Sequence, residues 1–278
     1  MAGLGPAPFA AMHLADLGAE VVRIARPGQK FPLPIDAKYN LFNRSRRSLT
    51  LDLTKARDVD RLWQLIERAE VLIEGFRPGK MEKLGFGPEQ VQARNPALVY
   101  GRLTGWGQEG PLSMSAGHDI NYLAITGALH AIGTKDSGPV PPLNMVADYG
   151  GGTMFLLFGI LSAVIERGVT GKGQVVDAAM VDGVPAMMGL IHGMLAQGTW
   201  TEERAANWLD GAAPFYRCYT CADGKFISVG ALEPQFYAIL LEKLGLPADL
   251  AASQNDRATW EARNAEFAAI FAARARDD

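Results

Sequence analysis

The stretch VLIEGFRPGKMEKLGFGPEQVQARNPALVYGRLT, residues 71–104, has the pattern of a strand, a helix and a second strand. Val71 to Ile73 is a short apolar run typical of a buried strand, Pro88 is placed to begin a helix, and Leu98 to Leu103 is apolar again. Two strands joined by a crossover helix lie parallel in one sheet. The stretch therefore predicts a parallel sheet with helices packed against it.

The same alternation continues on both sides of this stretch. The predicted elements are a helix at 9–17, strands at 20–24 and 48–53, a helix at 58–69, a long helix after Asp148 to about Arg167, a strand at 174–176 and a helix capped by Asp177. We therefore predict an α/β fold with an open, mostly parallel, Rossmann-like sheet in a large domain of residues 1–180. A helical linker at 181–214 and a smaller α+β domain at 215–278 follow. The smaller domain has a hairpin around Asp223-Gly224 and a helix begun by Pro234.

The composition is that of a globular protein, because 48% of the 278 residues are apolar and 21% are charged. The formal net charge of −3 gives no indication of nucleic acid or of an anionic membrane surface as a partner. The longest apolar run, Met154 to Ile165, is shorter than the roughly 18 residues of a membrane span. No leader pattern opens the chain. We therefore expect a cytoplasmic protein with no nucleic acid and no membrane among its partners.

The two cysteines, Cys218 and Cys221, form a CxxC motif. Two ligands cannot complete a zinc site, and a redox pair would lie at the beginning of a helix. The residues around this motif have the pattern of strands instead. We interpret both as incidental strand cysteines and expect no metal.

Basic residues recur in the loops at one predicted edge of the sheet. Ligands of open parallel sheets bind beyond the carboxyl ends of the strands. Arg26 follows one strand, Gly75-Phe76-Arg77 follows another with Lys83 beyond, and three more arginines precede residue 48. Arginine, glycine and an aromatic ring suit a nucleotide with phosphates, although each arginine alone is commonly a solvated surface residue. The N-terminal GLGPAP lacks the third glycine and the preceding strand of a dinucleotide fingerprint.

Two residues are candidates for acid–base chemistry. His118, in GHDINY, precedes a short predicted helix, where the backbone dipole favours the neutral imidazole that can act as a base. Asp148 precedes three glycines, 150–152, and a helix with apolar side chains on every face. Such a helix is predicted to be buried, which would place the carboxylate at the mouth of an apolar cleft. The alternatives are a structural or exposed histidine and a plain N-cap aspartate.

Several segments in the same order carry a resemblance over nearly the whole chain. They are LADLGAEVVRIARPG, VLIEGFRPG, RLTGWGQEGP, GHDINYLA, PPLNMVADYGGGTMFLLFGIL and GKGQVVDAAMVDG. The chain resembles the α-methylacyl-CoA racemases, within the larger group of family III CoA transferases. The resemblance implies an interlocked homodimer that interconverts (2R)- and (2S)-2-methylacyl-CoA thioesters by proton transfer between two bases. Coenzyme A would enter as part of the substrate, with no other cofactor.

The resemblance also implies roles for individual residues. His118 matches the base for one stereochemistry, Asp148 matches the base for the other, and Glu233 matches an acid that approaches from the small domain. The residues that would bind the substrate and its CoA are Arg26, Leu51, Asp52, Leu53, Thr54, Gly75, Phe76, Arg77, Lys83, Gly117, Asp119, Ile120, Asn121 and Tyr122. One departure is Thr54, which stands where these racemases can carry a lysine, with Lys55 adjacent.

Two further expectations concern the reaction itself. The enolate oxygen needs hydrogen-bond donors, and the N–H groups beside the glycines after Asp148 are candidates. A group of methionines would suit a shifting acyl chain, although core packing explains them equally well. They are Met145, Met154, Met180, Met187 and Met188.

Two alternatives to racemisation remain open. In the CoA transferases of the same group the matching aspartate is a nucleophile, and Asp148 alone fits either reaction. His118 favours the racemase, because the transferase route needs no second base. The other alternative is an inactive truncated homologue. Members of the family begin with a strand before GLGPAP and continue past AARARDD, so we expect a missing first strand and an incomplete small domain.

Overall fold

The computed structural model describes residues 1–29 and 35–278. Their contacts divide the chain into two compact units. The first contains residues 1–128 and 142–188, and the second contains residues 129–141 and 189–278. The sequence prediction placed residues 129–141 in the large domain of residues 1–180, whereas the contacts assign them to the second unit.

The strands are β1 (Val22–Ala25), β2 (Arg47–Thr50), β3 (Val71–Glu74), β4 (Val99–Thr104), β5 (Gly133–Thr134), β6 (Gly138–Pro139), β7 (Val175–Ala179), β8 (Tyr216–Thr220) and β9 (Phe226–Gly230). The α-helices are α1 (Pro6–Asp16), α2 (Ala56–Ile66), α3 (Lys80–Lys83), α4 (Pro88–Arg94), α5 (Asp119–Ile125), α6 (Ala128–Ala131), α7 (Phe155–Thr170), α8 (Met180–Met187), α9 (Gly189–Gln197), α10 (Pro234–Leu244) and α11 (Arg257–Ala272). Met145–Met154 is a π-helix that continues directly into α7, and short 3₁₀ helices lie at Ala37–Tyr39, Leu41–Asn43 and Ala248–Ser253.

The parallel pairing predicted for the first unit is confirmed. Strands β1 and β2 pair in parallel, and β3, β4 and β7 form a second parallel sheet with β4 in the middle. Residues 1 and 2 lie between the two sheets, where the Ala2 N–H donates to the Ile24 carbonyl (2.7 Å) and the Met1 nitrogen donates to the Ile73 carbonyl (2.5 Å). Single bonds of this kind join the sheets without forming a continuous ladder.

One hydrophobic core lies where α2 and α4 pack against the sheets. Leu62 and Ile66 of α2, Val91 of α4 and Leu72 of β3 are buried together in it. Tyr100 of β4 is also fully buried, and its hydroxyl donates to the Phe86 carbonyl (2.8 Å). Truncating a buried leucine of this kind costs about 2–5 kcal/mol of stability.

The long helix is buried on one face only, so the prediction that it is buried all round is wrong. Leu156 and Ile160 pack on the sheet side, whereas Phe158 is 74% exposed, Ile165 is 73% exposed and Val169 is 87% exposed. The reason is that strands β4 and β7 pack against one face of α7. A helix face is buried only where another element packs on it, however apolar its side chains are.

The helix Met145–Thr170 is also long and apolar enough to cross a membrane, with 26 residues and a mean hydropathy of 1.5 in its most apolar window. That is a statement about length and composition alone. Its contacts with α1, α8 and two parallel strands are those of a helix in an α/β layer.

The helix predicted to be capped by Asp177 begins three residues later, at Met180. Asp177 lies inside β7 instead and pairs with Arg102 of β4 in the parallel register. The ladder continues to the pair Thr104 and Ala179, so backbone pairing holds these residues extended. The predicted cap is therefore wrong.

The second unit contains the predicted hairpin. Strands β8 and β9 are antiparallel, with Tyr216 opposite Gly230, and the turn includes Gly224 with φ +73°. Phe215, Tyr237, Trp260 and Phe267 form the centre of its core. Cys218 is in β8 and Cys221 directly follows that strand; neither is in a disulfide.

Candidate active site

A cavity of about 280 Å³ opens in the first unit beyond the carboxyl ends of β3 and β4. This is the edge of a parallel sheet at which ligands gather. Its walls are the beginning of α1, the loop after β3, the segment from the end of β4 to α5, and the π-helix. The candidate residues that line it are Gly75, Phe76, Arg77, Gly117, His118, Tyr122 and Asp148.

His118 lies at the N-cap of α5, as the sequence predicted, with an extended backbone. Its N–H donates to Oδ1 of Asn121 (3.0 Å), which fixes the beginning of the helix. The side chain is exposed and lines the cavity. The imidazole is therefore accessible to a ligand, while its backbone is held in place.

Asp148 is the fourth residue of the π-helix and is partly buried. Burial raises the pKa of its carboxyl; the hydrogen bond that Asn144 donates to Oδ2 (3.2 Å) opposes this rise, the charge of Asp119 adds to it, and His118 opposes it. A carboxyl whose pKa is raised gains a proton more readily and is suited to exchanging one with a ligand.

The raised pKa of Asp148 predicts an effect of pH on stability. Since the folded state binds this proton more tightly than the unfolded state, the contribution to stability is fully present below the ordinary pKa of 3.8 and is lost as pH rises through the raised folded value. Asp148→Asn removes the titration. Denaturant unfolding of both proteins should show the variant gaining stability relative to wild type as pH rises through this window. A difference that stays constant would contradict the assignment.

Asp148 lies beside the beginning of α1. A side-chain carbon built on Gly5, which has φ +70°, would come within 3.4 Å of Asp148 Oδ2. The Thr153 hydroxyl donates to the Pro6 carbonyl (2.9 Å) and so ties the π-helix to α1. Pro6 has no N–H, which leaves the N–H of Ala7 as a donor in the first turn of α1 beside the cavity. The segment GLGPAP therefore forms a wall of the cavity.

The glycines after Asp148 have a different role from the one predicted. A side-chain carbon on Gly151 would lie 2.8 Å from Val184 Cγ2, and one on Gly183 would overlap the Gly151 carbonyl. Gly151 and Gly152 are buried, and none of the three glycines lines the cavity. They allow α8 to pack closely on the π-helix, so the prediction that their N–H groups are open to a ligand is wrong.

Tyr122 is closely packed in the wall of the cavity. Its ring meets the Trp106 ring edge-on at a centroid distance of 4.8 Å, and a side-chain carbon on Gly117 would lie 2.7 Å from it. Burial raises its pKa to about 12, the charge of Asp148 adds to this rise, and Arg77 opposes it. The phenol is therefore neutral near neutral pH and can donate a hydrogen bond.

Gly105→Ala is expected to disturb this wall, because a side-chain carbon on Gly105 would overlap the Tyr122 ring. A displacement of about 1 Å at a reacting centre costs about 100-fold in rate, and we expect a loss of that order. The measurement is turnover of the 2-methylacyl-CoA that the sequence resemblance implies as substrate. Gly189→Ala is the matched control, because no atom lies within 4 Å of its added carbon. Equal activities of the two variants would contradict the prediction.

A buried ion pair supports the loop after β3. Glu74 is fully buried; it accepts the N–H of Phe76 (2.7 Å) and the Nε–H of Arg102 (2.8 Å). Arg102 also pairs with Glu82 of α3 at 2.8 Å. Removing one member of a buried pair costs about 3–5 kcal/mol, so this arrangement holds the loop 75–78 firmly at the cavity.

The other predicted site residues do not line this cavity. Leu51 is buried in the core, and Asp52 accepts hydrogen bonds from Thr54. Asp119 is buried, and the Asn121 side chain accepts the N–H of His118. Arg26, Leu53, Thr54, Lys83 and Ile120 also lie outside it. Glu233 is the N-cap of α10 in the second unit, and its role stays a prediction.

Several lining residues were not predicted. Ala7 and Trp106 belong to this group. The glycines on both sides of Trp106 were a signal that this loop packs closely, as it does against Tyr122. No local pattern identifies Ala7 as a lining residue. Of the methionines considered for an acyl surface, Met180 lines the cavity, while Met145 and Met154 are exposed to solvent.

A parallel α/β unit with an imidazole and a partly buried carboxyl in a cavity beyond its strands has the arrangement of an α/β enzyme. The model of CoA-transferase family III matches residues 1–278, so the chain belongs to this family. It is 47% identical over 272 residues to α-methylacyl-CoA racemase of Mus musculus and 45% identical to that of Homo sapiens, covering 98% of this chain and 70% of each relative. A crystal structure of a CAIB/BAIF family protein from Brucella suis superposes with a TM-score of 0.77 at 28% identity, covering 98% of this chain and 74% of that one.

Proposed function

We propose that the chain is an isomerase that interconverts (2R)- and (2S)-2-methylacyl-CoA thioesters. The observation that carries the proposal is that His118 and Asp148, 30 positions apart, line the same cavity. The identity of 45–47% to proteins named α-methylacyl-CoA racemase supports the same reaction.

The proposed mechanism moves one proton off the α-carbon and another onto it. One base removes the α-proton, the electrons of the C–H bond pass to the thioester oxygen, and a planar enolate forms. The other group, in its protonated form, then delivers a proton to the opposite face, and the enolate electrons form the new C–H bond. His118 and Asp148 exchange these roles between the two directions. The two proton transfers balance without an oxidant or a reductant, and the proposal includes no cofactor besides the CoA that the substrate carries.

The enolate must be stabilised by donors, because each unit of pKa mismatch between carbon acid and base costs about 1.4 kcal/mol. A donor aimed at the oxyanion contributes about 2.7–4 kcal/mol. The candidates beside the cavity are the Tyr122 hydroxyl and the N–H of Ala7 in the first turn of α1. A complex with an enolate analogue whose oxygen contacts none of them would refute this assignment.

We assign the phosphate-bearing part of CoA to the basic loops that the resemblance indicates, with Arg77 as the cation that lines the cavity. Arg77→Ala should raise KM for acyl-CoA by about 10-fold or more, since a hydrogen bond to a charged group contributes about 1.5–3 kcal/mol. The value of kcat should change little. Steady-state kinetics measures KM and kcat. Arg68→Ala is the control, because Arg68 is an exposed arginine that lies outside the cavity. An unchanged KM would remove Arg77 from the binding site.

The decisive experiment for the reaction is exchange of the α-proton. Wild-type protein is incubated in deuterium oxide with one enantiomer of a 2-methylacyl-CoA and with no acceptor acid. Racemase chemistry predicts that deuterium enters the α position and that the other enantiomer appears. Absence of both would refute the proposal.

A second candidate function rests on membership of the family and on the Asp148 carboxyl in the cavity. As a CoA transferase, the protein would use Asp148 as a nucleophile that displaces CoA and later returns the acyl group to an acceptor. That route consumes an acceptor acid and leaves the α-proton in place. Adding acceptor acids to the same assay distinguishes the two reactions.

We further propose that the protein is a homodimer. The exposed apolar side chains of α7 support this, because such a surface is costly to leave in water. Light scattering of the purified protein over a range of concentrations should give twice the mass of one chain. A monomer at every concentration would refute the dimer.

A further inference from the structure

Asp119 directly follows His118 in the chain, yet its side chain does not line the cavity. It is only 5% exposed, and its Oδ2 accepts the N–H of Ala147 (2.8 Å) and the N–H of Asp148 (2.8 Å). The carboxylate is thus directed at the backbone of the residue that carries the second proposed base.

These two hydrogen bonds satisfy groups that have no partner inside the π-helix. Ala147 and Asp148 are its third and fourth residues, and the first N–H groups of a helix lack an acceptor in their own helix. Hydrogen bonds to an ionised carboxylate are roughly twice as strong as bonds between neutral groups. Asp119 therefore fixes the beginning of the π-helix against the beginning of α5.

We propose that Asp119 is a positioning residue that holds the Asp148 carboxyl in register with the His118 imidazole. The two bases lie on different helices, and a single side chain next to one of them bonds to the backbone of the other. This inference rests on the proposed two-base reaction. It replaces the substrate contact that the resemblance implied for Asp119.

The charge of Asp119 also acts on Asp148. The ionisable groups that face the Asp148 carboxyl are His118 and Asp119, with Tyr122 nearby, and all three belong to the α5 region. Among the neighbours that α1, α8 and β4 present to the π-helix are the uncharged Phe9, Met180, Met187, Val184 and Leu103. After burial, the negative charge of Asp119 is the contribution that raises the pKa of Asp148.

Two variants separate position from charge. Asp119→Ala removes both hydrogen bonds and the charge, whereas Asp119→Asn removes the charge and keeps an oxygen that can accept both N–H groups. The control is Asp210→Asn, because the Asp210 carboxylate also accepts backbone N–H groups, those of Ala206 and Asn207, but belongs to the second unit.

The first measurement is deuterium exchange from each enantiomer as a function of pH. Asp119→Ala should lose about 10- to 100-fold for the enantiomer that needs Asp148, which is identified separately with Asp148→Asn. Asp119→Asn should keep most of the wild-type exchange rate for this enantiomer. Its acid limb in kcat/KM should move to lower pH, since removing a like charge favours the Asp148 carboxylate. Asp210→Asn should leave the pH profile unchanged.

The second measurement does not depend on turnover. NMR titration of the ¹³C-labelled Asp148 carboxyl should give a lower pKa in Asp119→Asn than in wild type. An unchanged Asp148 pKa, or an Asp119→Ala variant with wild-type exchange, would overturn the proposal. If wild-type protein shows no exchange at all, the proposed function fails, and the titration alone decides whether Asp119 controls Asp148.

Discussion

Asp148→Asn is expected to lower racemisation of a 2-methylacyl-CoA by about 100- to 10,000-fold, the usual contribution of a positioned acid or base. Asparagine has nearly the same shape and keeps an oxygen that can accept the hydrogen bond from Asn144, but it cannot take up a proton. Exchange of the α-proton should be lost for the enantiomer whose proton faces Asp148. It should persist for the other enantiomer, because His118 can still remove and return that proton. Mass spectrometry of each recovered enantiomer measures both.

Asp182→Asn is the control for this experiment. Asp182 is an exposed carboxylate near the beginning of α8, and it lies outside the cavity. Its variant should racemise at the wild-type rate. If Asp148→Asn also kept full turnover, Asp148 would not be a base in the reaction.

His118→Ala is expected to cause a loss of the same size and to affect the opposite enantiomer. The side chain is exposed, so its removal leaves no buried cavity and should change the free energy of unfolding by little. Deuterium exchange and thermal unfolding of the same preparation separate the loss of a base from loss of the fold. Wild-type exchange of both enantiomers in this variant would contradict the role of His118.

His192→Ala is the matched control, because His192 is an exposed histidine on α9 in the second unit. The pair of site variants also discriminates between the two candidate reactions. A transferase that uses Asp148 as its nucleophile would be inactivated by Asp148→Asn and largely spared by His118→Ala. A two-base racemase loses inversion in both variants.

Much of the fold follows from local patterns in the sequence. The apolar run at Val71 to Ile73 and the one at Leu98 to Leu103 became neighbouring parallel strands, with α4 between them beginning at Pro88. Periodicity and helix-start residues are short-range signals, and here backbone pairing agreed with them. The loop after β3 was found from the sequence for the same reason, because a loop beyond the carboxyl end of a parallel strand lies at the ligand edge.

The errors lie where a local pattern is overridden by a distant neighbour. Asp177 has the properties of a helix cap, but pairing of β7 with β4 keeps it in a strand. The glycines after Asp148 resemble a ligand-binding turn, but the close approach of α8 accounts for them. The helix that follows is apolar on every face, yet only one face has a neighbour among the described residues.

The amino-acid sequence by itself determined the parallel α/β class, the loop that carries Arg77, and the choice of His118 and Asp148 as candidate bases. Each of these depends on residue type and on spacing within a few turns. Only the tertiary structure decided that the imidazole and the carboxyl share one cavity, that the beginning of α1 forms its wall, and that Asp119 bonds to the backbone of Asp148. The physical reason is range. Helix and strand signals act over a few residues, whereas burial and hydrogen bonding between α1, α5 and the π-helix join residues that are up to about 150 positions apart, and no local pattern records them.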